Sequence, residues 1–364
     1  MGRYIIMTTD KNAIDRTERD RKETGMSALK MNTVDRNQLK KLMGKLGPLL
    51  ALVILCTALT IGTDGKFLAL SNISNLLRQV PIVALMASGM LVVILTGGID
   101  LSAGSLLAIS ISVMGVAMQS YGIQNPVILI LLGLMTGTFF GLINGLLLTK
   151  LHLPHPFIST LGTKNMCRGL ALLITGAAAI GNFPAPVLII GATDFRIGGV
   201  KIPFSFILVF ATCVIFHIFL NKTALGRKIY SFGGNREAAR LAGINTDRVQ
   251  IFSYALSGFM CAFAGLVFVG RMNSAVPLAS LEGDLDAIAA CIIGGASFNG
   301  GKGNIWGTLV GAFMITVIRN GCNLLGVSSD LQQIVIGAVI VVAVFIDVVR
   351  GRLEIRSKRL AAAR

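Results

Sequence analysis

A carboxylate and two hydroxyls stand close together in Thr96-Gly97-Gly98-Ile99-Asp100-Leu101-Ser102-Ala103-Gly104-Ser105, a glycine-rich break between two apolar stretches. Asp100, Ser102 and Ser105 suit hydrogen bonding to a neutral polyhydroxylated solute. Broken helices at membrane depth are tolerated only where the backbone is buried in protein or lines water, and in transporters they often mark a binding site or gate. The segment also reads as a turn in which Asp100 caps the following helix. Asn144 presents a similar choice, because a buried amide is costly unless paired: it bonds a neighbouring helix or faces a pathway. Arg168 lies well inside an apolar stretch, where ionisable residues face protein or water and have a partner. Asp100 and Asp286 are the candidate partners. Lys164, four residues before Arg168, shares its helix face, which argues for a water-lined side.

Bond-breaking chemistry finds no comparable set. Gly294-Gly295-Ala296-Ser297-Phe298-Asn299-Gly300-Gly301-Lys302-Gly303 tempts a phosphate-loop reading. The pattern G-x-x-x-x-G-K-S/T, however, needs glycine where Ala296 stands and Ser or Thr where Gly303 stands. Gly294, Gly295, Gly300 and Gly301 read instead as a hinge between two apolar segments. His152, His155 and His217 form no metal constellation, and no paired-carboxylate or Ser-His-Asp set stands out. Six cysteines are spread through apolar sequence without C-x-x-C spacing, as small buried hydrophobes are. Neither a metal nor a cofactor is expected, nor any enzymatic site of the chain's own.

The elements that must position these residues are membrane helices. The chain has 364 residues, 54% hydrophobic and 14% charged, with a mean hydropathy of +0.75, more apolar sequence than a soluble domain of that size could bury. Spans need ~20 apolar residues, and ten segments approach that: 46–61, 80–96, 101–118, 127–149, 157–175, 203–220, 251–269, 285–295, 305–318 and 331–349. The eighth is short and the second and third nearly abut, so a re-entrant segment and a count of eight stay open. The expected fold is an all-α integral membrane bundle of about ten spans with broken or re-entrant segments.

The net charge of +16 could suggest nucleic acid, but the basic residues gather at chain ends and in loops, without interleaved aromatics. Such clusters mark the cytoplasmic face and its anionic lipids. With ten spans and an inside N-terminus, the inside segments carry twenty-five Lys and Arg and the outside segments five. Both termini are therefore expected in the cytoplasm. Residues 1–45 read as a polar cytoplasmic tail without a signal peptide, 46–350 as the transmembrane domain, and 351–364 as a basic cytoplasmic tail.

The longest polar interval between spans is 221–250. Gly233-Gly234-Asn235 can make a tight turn, and Asn235 can cap a short helix over 236–242 with Gly243 as its left-handed stop. Glu237 in the first turn and Arg240 in the last agree with the helix dipole. Glu237-Ala238-Ala239…Gly243 resembles the EAA loop of bacterial ABC-importer permeases, and Thr223 to Asn235 is similar to the ribose-type monosaccharide permeases in particular. TGGIDLS-x-GS at 96–105, Asn144 in its Gly141–Leu146 string, Thr160 and Thr163 in P-F-I-x-T-L-G-T, Arg168-Gly169, and DAIAA followed by the glycine segment at 294–303 resemble the same family in the same order. Lys164 departs from it, standing where the family is usually apolar.

The resemblance spans roughly residues 65–350. It implies the permease subunit of an ABC importer for a monosaccharide, in the bacterial inner membrane. A cytoplasmic ATPase subunit would grip 236–242, a periplasmic or lipid-anchored binding protein would deliver sugar, and a second permease copy would complete the pore. Asp100, Ser102, Ser105, Asn144, Thr160 and Arg168 are the expected pathway residues. Gly233, Gly234, Asn235, Glu237, Ala238, Ala239 and Gly243 are the expected coupling residues. A gradient-driven transporter, kept open by Asp100 and Asp286, is the rival. Gly133, Gly137, Gly141 and Gly145 recur every four residues, as do Gly307 and Gly311; such strips let another backbone approach closely, either inside the bundle or at a homodimer seam.

Overall fold

The computed structural model describes residues 47–362 apart from His152, Pro154 and Gly198. The predicted tail 1–45 and the reading of His152 lie outside them. The chain divides into Met1–Leu50 and Ala51–Arg364; in the first, residues 47–50 are helical, and the rest of the architecture belongs to the second. Thirteen helices are described: α1 (Gly47–Gly62), α2 (Leu70–Leu95), α3 (Ala103–Tyr121), α4 (Pro126–Lys150), α5 (Pro156–Thr175), α6 (Ala185–Ala192), α7 (Phe204–Lys222), α8 (Ala224–Gly234), α9 (Arg236–Leu241), α10 (Thr246–Met272), α11 (Gly283–Ile293), α12 (Ile305–Leu324) and α13 (Ser329–Ala362). Two small antiparallel pairs accompany them: β1 (Ile180–Gly181) with β4 (Ser274–Ala275), and β2 (Asp194–Ile197) with β3 (Val200–Pro203).

Each predicted span coincides with a helix. Among the described residues, six helices are long and apolar enough to cross a bilayer: α2, α3, α4, α7, α10 and α12. In α2 and α3 the most apolar stretches are 72% and 78% buried, against 22% in α4 and 33% in α7, so α2 and α3 form the centre of the bundle. α2 begins ten residues before its predicted start. Its polar first turns are paired: Asn72 and Asn320 exchange amide hydrogen bonds at 2.9 Å, and Ser74 Oγ accepts from Lys201 N at 3.0 Å. The predicted boundary at 350 coincides with no element boundary, since α13 runs on to Ala362.

The eighth predicted span is only half a span. α11 has 11 residues, ~16 Å at 1.5 Å per residue, against a hydrocarbon core of ~30 Å. Non-helical chain precedes it, and this reaches deep among the helices: Ser280 Oγ lies 3.6 Å from Met86 Sδ of α2, and a Cβ on Gly104 of α3 would collide with the Ser280 carbonyl.

The glycine strip of α4 is used within the chain. A Cβ on Gly137 would lie 2.5 Å from Gly258 O and one on Gly145 2.6 Å from Ile251 Cα, both in α10. Gly307 and Gly311 of α12 abut Gly294 and Ala290 at α11 in the same manner. These strips are intrachain packing faces, so neither is left free as a dimer seam.

Loops gather at two opposite ends. At one, Arg78 pairs with Asp194, β1 pairs with β4, and Asn273 Oδ1 accepts from Phe183 N at 3.1 Å. At the other, a cleft of about 430 Å³ is bordered by Thr96, Leu153, Pro156, Phe232, Gln250 and Asn299. Chain segments around residues 96–97, 148–156, 232–236 and 299 thus meet at one end.

Candidate functional site

Asp100, Ser102, Asn144 and Thr160 come together where α2 turns into α3. Asp100 Oδ1 accepts from Ser102 N at 3.0 Å and from Ser102 Oγ at 2.5 Å, and its Oδ2 accepts from Ser257 Oγ of α10 at 2.8 Å. Asn144 Nδ2 of α4 donates to Ser102 Oγ at 2.9 Å. Ile99 O accepts from Tyr254 Oη at 3.3 Å and from Thr160 Oγ1 at 3.4 Å. Asp100, Ser102, Ser105, Asn144, Thr160 and Ser257 are all at 0% exposure. A carboxylate fed by hydroxyls and an amide, sealed from solvent, fastens this corner to α4, α5 and α10. Sequence reading missed Ser257 and Tyr254, which lie some 150 positions away in an ordinary apolar helix.

Arg168 stands apart from that cluster, and its predicted pairing with Asp100 or Asp286 is not what forms. Its guanidinium donates to Pro277 O at 2.7 Å and Ala279 O at 2.9 Å. The physical reason is the non-helical chain before α11, whose carbonyls lack helical partners at a depth where water is scarce; the guanidinium fork supplies several donors at once. Lys164, on the same face, binds Asp284 Oδ2 at 2.7 Å. Asp286 is held instead by Arg319 of α12 at 2.8 Å, with Glu282 3.8 Å from the same guanidinium. Three cations within apolar helices and three acids around the start of α11 were the signal that could have suggested these pairs.

The short helix predicted over 236–242 forms as α9, Arg236–Leu241. Asn235 Oδ1 accepts from Ala238 N at 2.9 Å, and Gly243 closes the helix at φ 80°. Glu237 accepts from Arg240 Nε at 3.0 Å, on a fully exposed face. Those bonds hold the Glu237 carboxyl below its ordinary range. The predicted tight turn at Gly233-Gly234 does not form: α8 continues through both residues. Gly233 is small for another reason. A Cβ there would strike Leu95 O and Gly301 N, so α8 backs directly onto the end of α2 and the glycine loop.

That loop is tightly seated. Gly301 N donates to Leu95 O at 2.9 Å, and Tyr230 Oη of α8 donates to Gly303 O at 2.8 Å. Gly295, Gly300 and Gly301 take positive φ, whereas Gly294 ends α11 in right-handed geometry against the Gly307 backbone.

A bundle of helices, six of them long and apolar enough to cross a bilayer, is the architecture of an all-α membrane protein. Residues 72–344 match the family model described as branched-chain amino acid transport system / permease component, and the chain belongs to that family. The chain is 45% identical to the ribose import permease protein RbsC of Bacillus subtilis (strain 168), over 84% of this chain and 93% of the relative. It is 36% identical to the fructose import permease protein FrcC of Rhizobium meliloti, over 82% and 84%. It is 35% identical to the galactose/methyl galactoside import permease protein MglC of Escherichia coli (strain K12), over 83% and 94%. These matches bear out the resemblance to ribose-type sugar importer permeases. No solved structure matches the chain.

Proposed function

We propose that this chain is the membrane-spanning subunit through which an ABC importer carries a monosaccharide of ribose type into the cell. A separate cytoplasmic ATPase subunit supplies the energy, a periplasmic or lipid-anchored binding protein presents the sugar, and a second copy of the chain completes the pathway. Ten crossings with both termini inside is the topology consistent with twenty-five basic residues on one side and five on the other.

The observation that carries the reading is the link from α9 to the bundle centre. α9 is exposed and capped, so a partner can grip it as a rigid unit. α8, one residue earlier, abuts Leu95 and Gly301 at Gly233. A pull on α9 therefore reaches the α2–α3 corner, where the Asp100 network moves α3, α4 and α10 together. Alternating access follows if the ATPase halves draw the two α9 helices together on binding ATP and release them on hydrolysis. The coupling is worth no more than the difference in ATPase affinity between the two bundle states.

The test is uptake in proteoliposomes holding the permease, its ATPase and its binding protein. Glu237→Lys and a bulky replacement of Gly243 are each expected to abolish uptake while the protein stays in the membrane. Normal uptake in both variants refutes the proposal.

A further inference from the structure

The Asp100 cluster is sealed inside the protein, whereas α5 carries polar groups within reach of its surface. Asn165 is exposed near the middle of that helix. Gly162 and Gly169, a turn to either side, have nothing within 4 Å of a built Cβ. With α5 as one of the ten crossings of the proposed topology, an amide on its outer face is costly against hydrocarbon, so this strip faces water or protein. Beside Asn165, the Lys164 side chain is 25% exposed and holds one oxygen of Asp284, which is at 0%. The other oxygen, Asp284 Oδ1, is buried without a partner. Gly104 and Gly283 bring α3 and α11 into backbone proximity here. Ser105 Oγ, next to Gly104, and Thr163 Oγ1, next to Lys164, are likewise buried and unpartnered. Native interiors rarely leave such groups unserved.

Resting on the reading as a monosaccharide permease, we infer that Asn165, Lys164 and Asp284 form a hydroxyl-binding subsite for a neutral polyhydroxylated solute, on the wall of its path at mid-membrane. Neighbouring sugar hydroxyls offer a donor and an acceptor side by side. The ion pair offers the complement: Asp284 Oδ1 accepts from one hydroxyl, Lys164 Nζ donates to the next, and the Asn165 amide does either. With Lys164 in place Oδ1 is closed off, so the hydroxyl reaches it as the seam between α5 and α11 parts. The non-helical chain held by Arg168 is the hinge that permits this parting, as discontinuous helices do in other transporters.

The experiment uses the complete importer in proteoliposomes, with D-ribose as the sugar. Asn165→Cys is treated with a membrane-impermeant maleimide, alongside the unsubstituted chain for background and Met135→Cys on the periphery of α4. Asn165→Cys is expected to react at least about tenfold faster than Met135→Cys, and ribose with ATP to slow it. In a second arm, the double variant Lys164→Gln/Asp284→Asn removes both charges together and leaves no unpaired one. Its KM for ribose uptake is expected to rise about tenfold, the equivalent of one charge-assisted hydrogen bond, with stimulation of ATP hydrolysis by the binding protein retained. Asn165→Cys as inert as Met135→Cys, or an unchanged KM in the double variant, overturns the subsite. If the double variant does not reach the membrane, the labelling arm decides. An unsubstituted importer with no ATP-dependent uptake overturns the parent reading instead, and is recognised by that.

Discussion

The amide of Gly301 donates to the carbonyl of Leu95 at 2.9 Å, joining the loop after α11 to the last turn of α2. Leu95 O sits in the helix terminus, where carbonyls have no partner of their own. Gly233 of α8 closes over both atoms. Three elements far apart in sequence thus share one contact, four residues before Ile99 and five before Asp100 of the polar network.

Gly233→Ala is expected to cost about 1–3 kcal/mol, the range for forcing extra atoms into a packed site, because backbone atoms of Leu95 and Gly301 stand in the way. Gly234→Ala meets nothing within 4 Å and is expected to be close to neutral. Unfolding midpoints in detergent check the pair; equal shifts for both would count against the contact.

Asn235→Ala removes the α9 cap at Ala238 N, a loss of about 0.5–2 kcal/mol. Faster hydrogen exchange confined to the amides of 236–241 is the expected result, with weaker ATPase-driven uptake accompanying it.

Because hydrogen bonds from Arg240 depress the Glu237 carboxyl, the ionised form is the one favoured by folding. The contribution is present in full above the ordinary glutamate value and fades as pH falls through the lower folded value. Exchange of the α9 amides is expected to quicken in that acid window, weakly and less so at high salt, since the pair is exposed. Glu237→Gln removes the pH dependence.

Two glycines of α4 should respond differently to the same methyl group. At Gly137 the obstacle is the backbone carbonyl of Gly258, at 2.5 Å, and the Ala262 methyl; neither can move aside. At Gly133 it is the end of the Met114 side chain, which can rotate away. Gly137→Ala is expected to destabilise by about 1–3 kcal/mol, and Gly133→Ala by well under half of that. Thermal unfolding in nanodiscs distinguishes them.

Arg168→Ala strands the carbonyls of Pro277 and Ala279, at about 1–3 kcal/mol for each unsatisfied group. Arg168→Lys, with fewer donors and no fork, should recover part of that loss. Protease sensitivity between 276 and 282 is the measurement, and an unchanged digestion pattern in the alanine variant would contradict the assignment.

What the sequence by itself determined was everything written in short range. Runs of apolar residues located the helices, and the cap, dipole charges and left-handed stop of α9 lie within nine consecutive positions, so each could be read from its neighbours. Motif order also carried the family. The tertiary structure decided what depends on groups brought together from afar. Lys164 finds Asp284 across 120 positions, Arg168 serves carbonyls rather than a carboxylate, and Gly233 is small because another helix end touches it. Asp100 sits in a sealed polar network for the same reason: an unpaired polar group away from water is costly, and which partner is near is settled by packing.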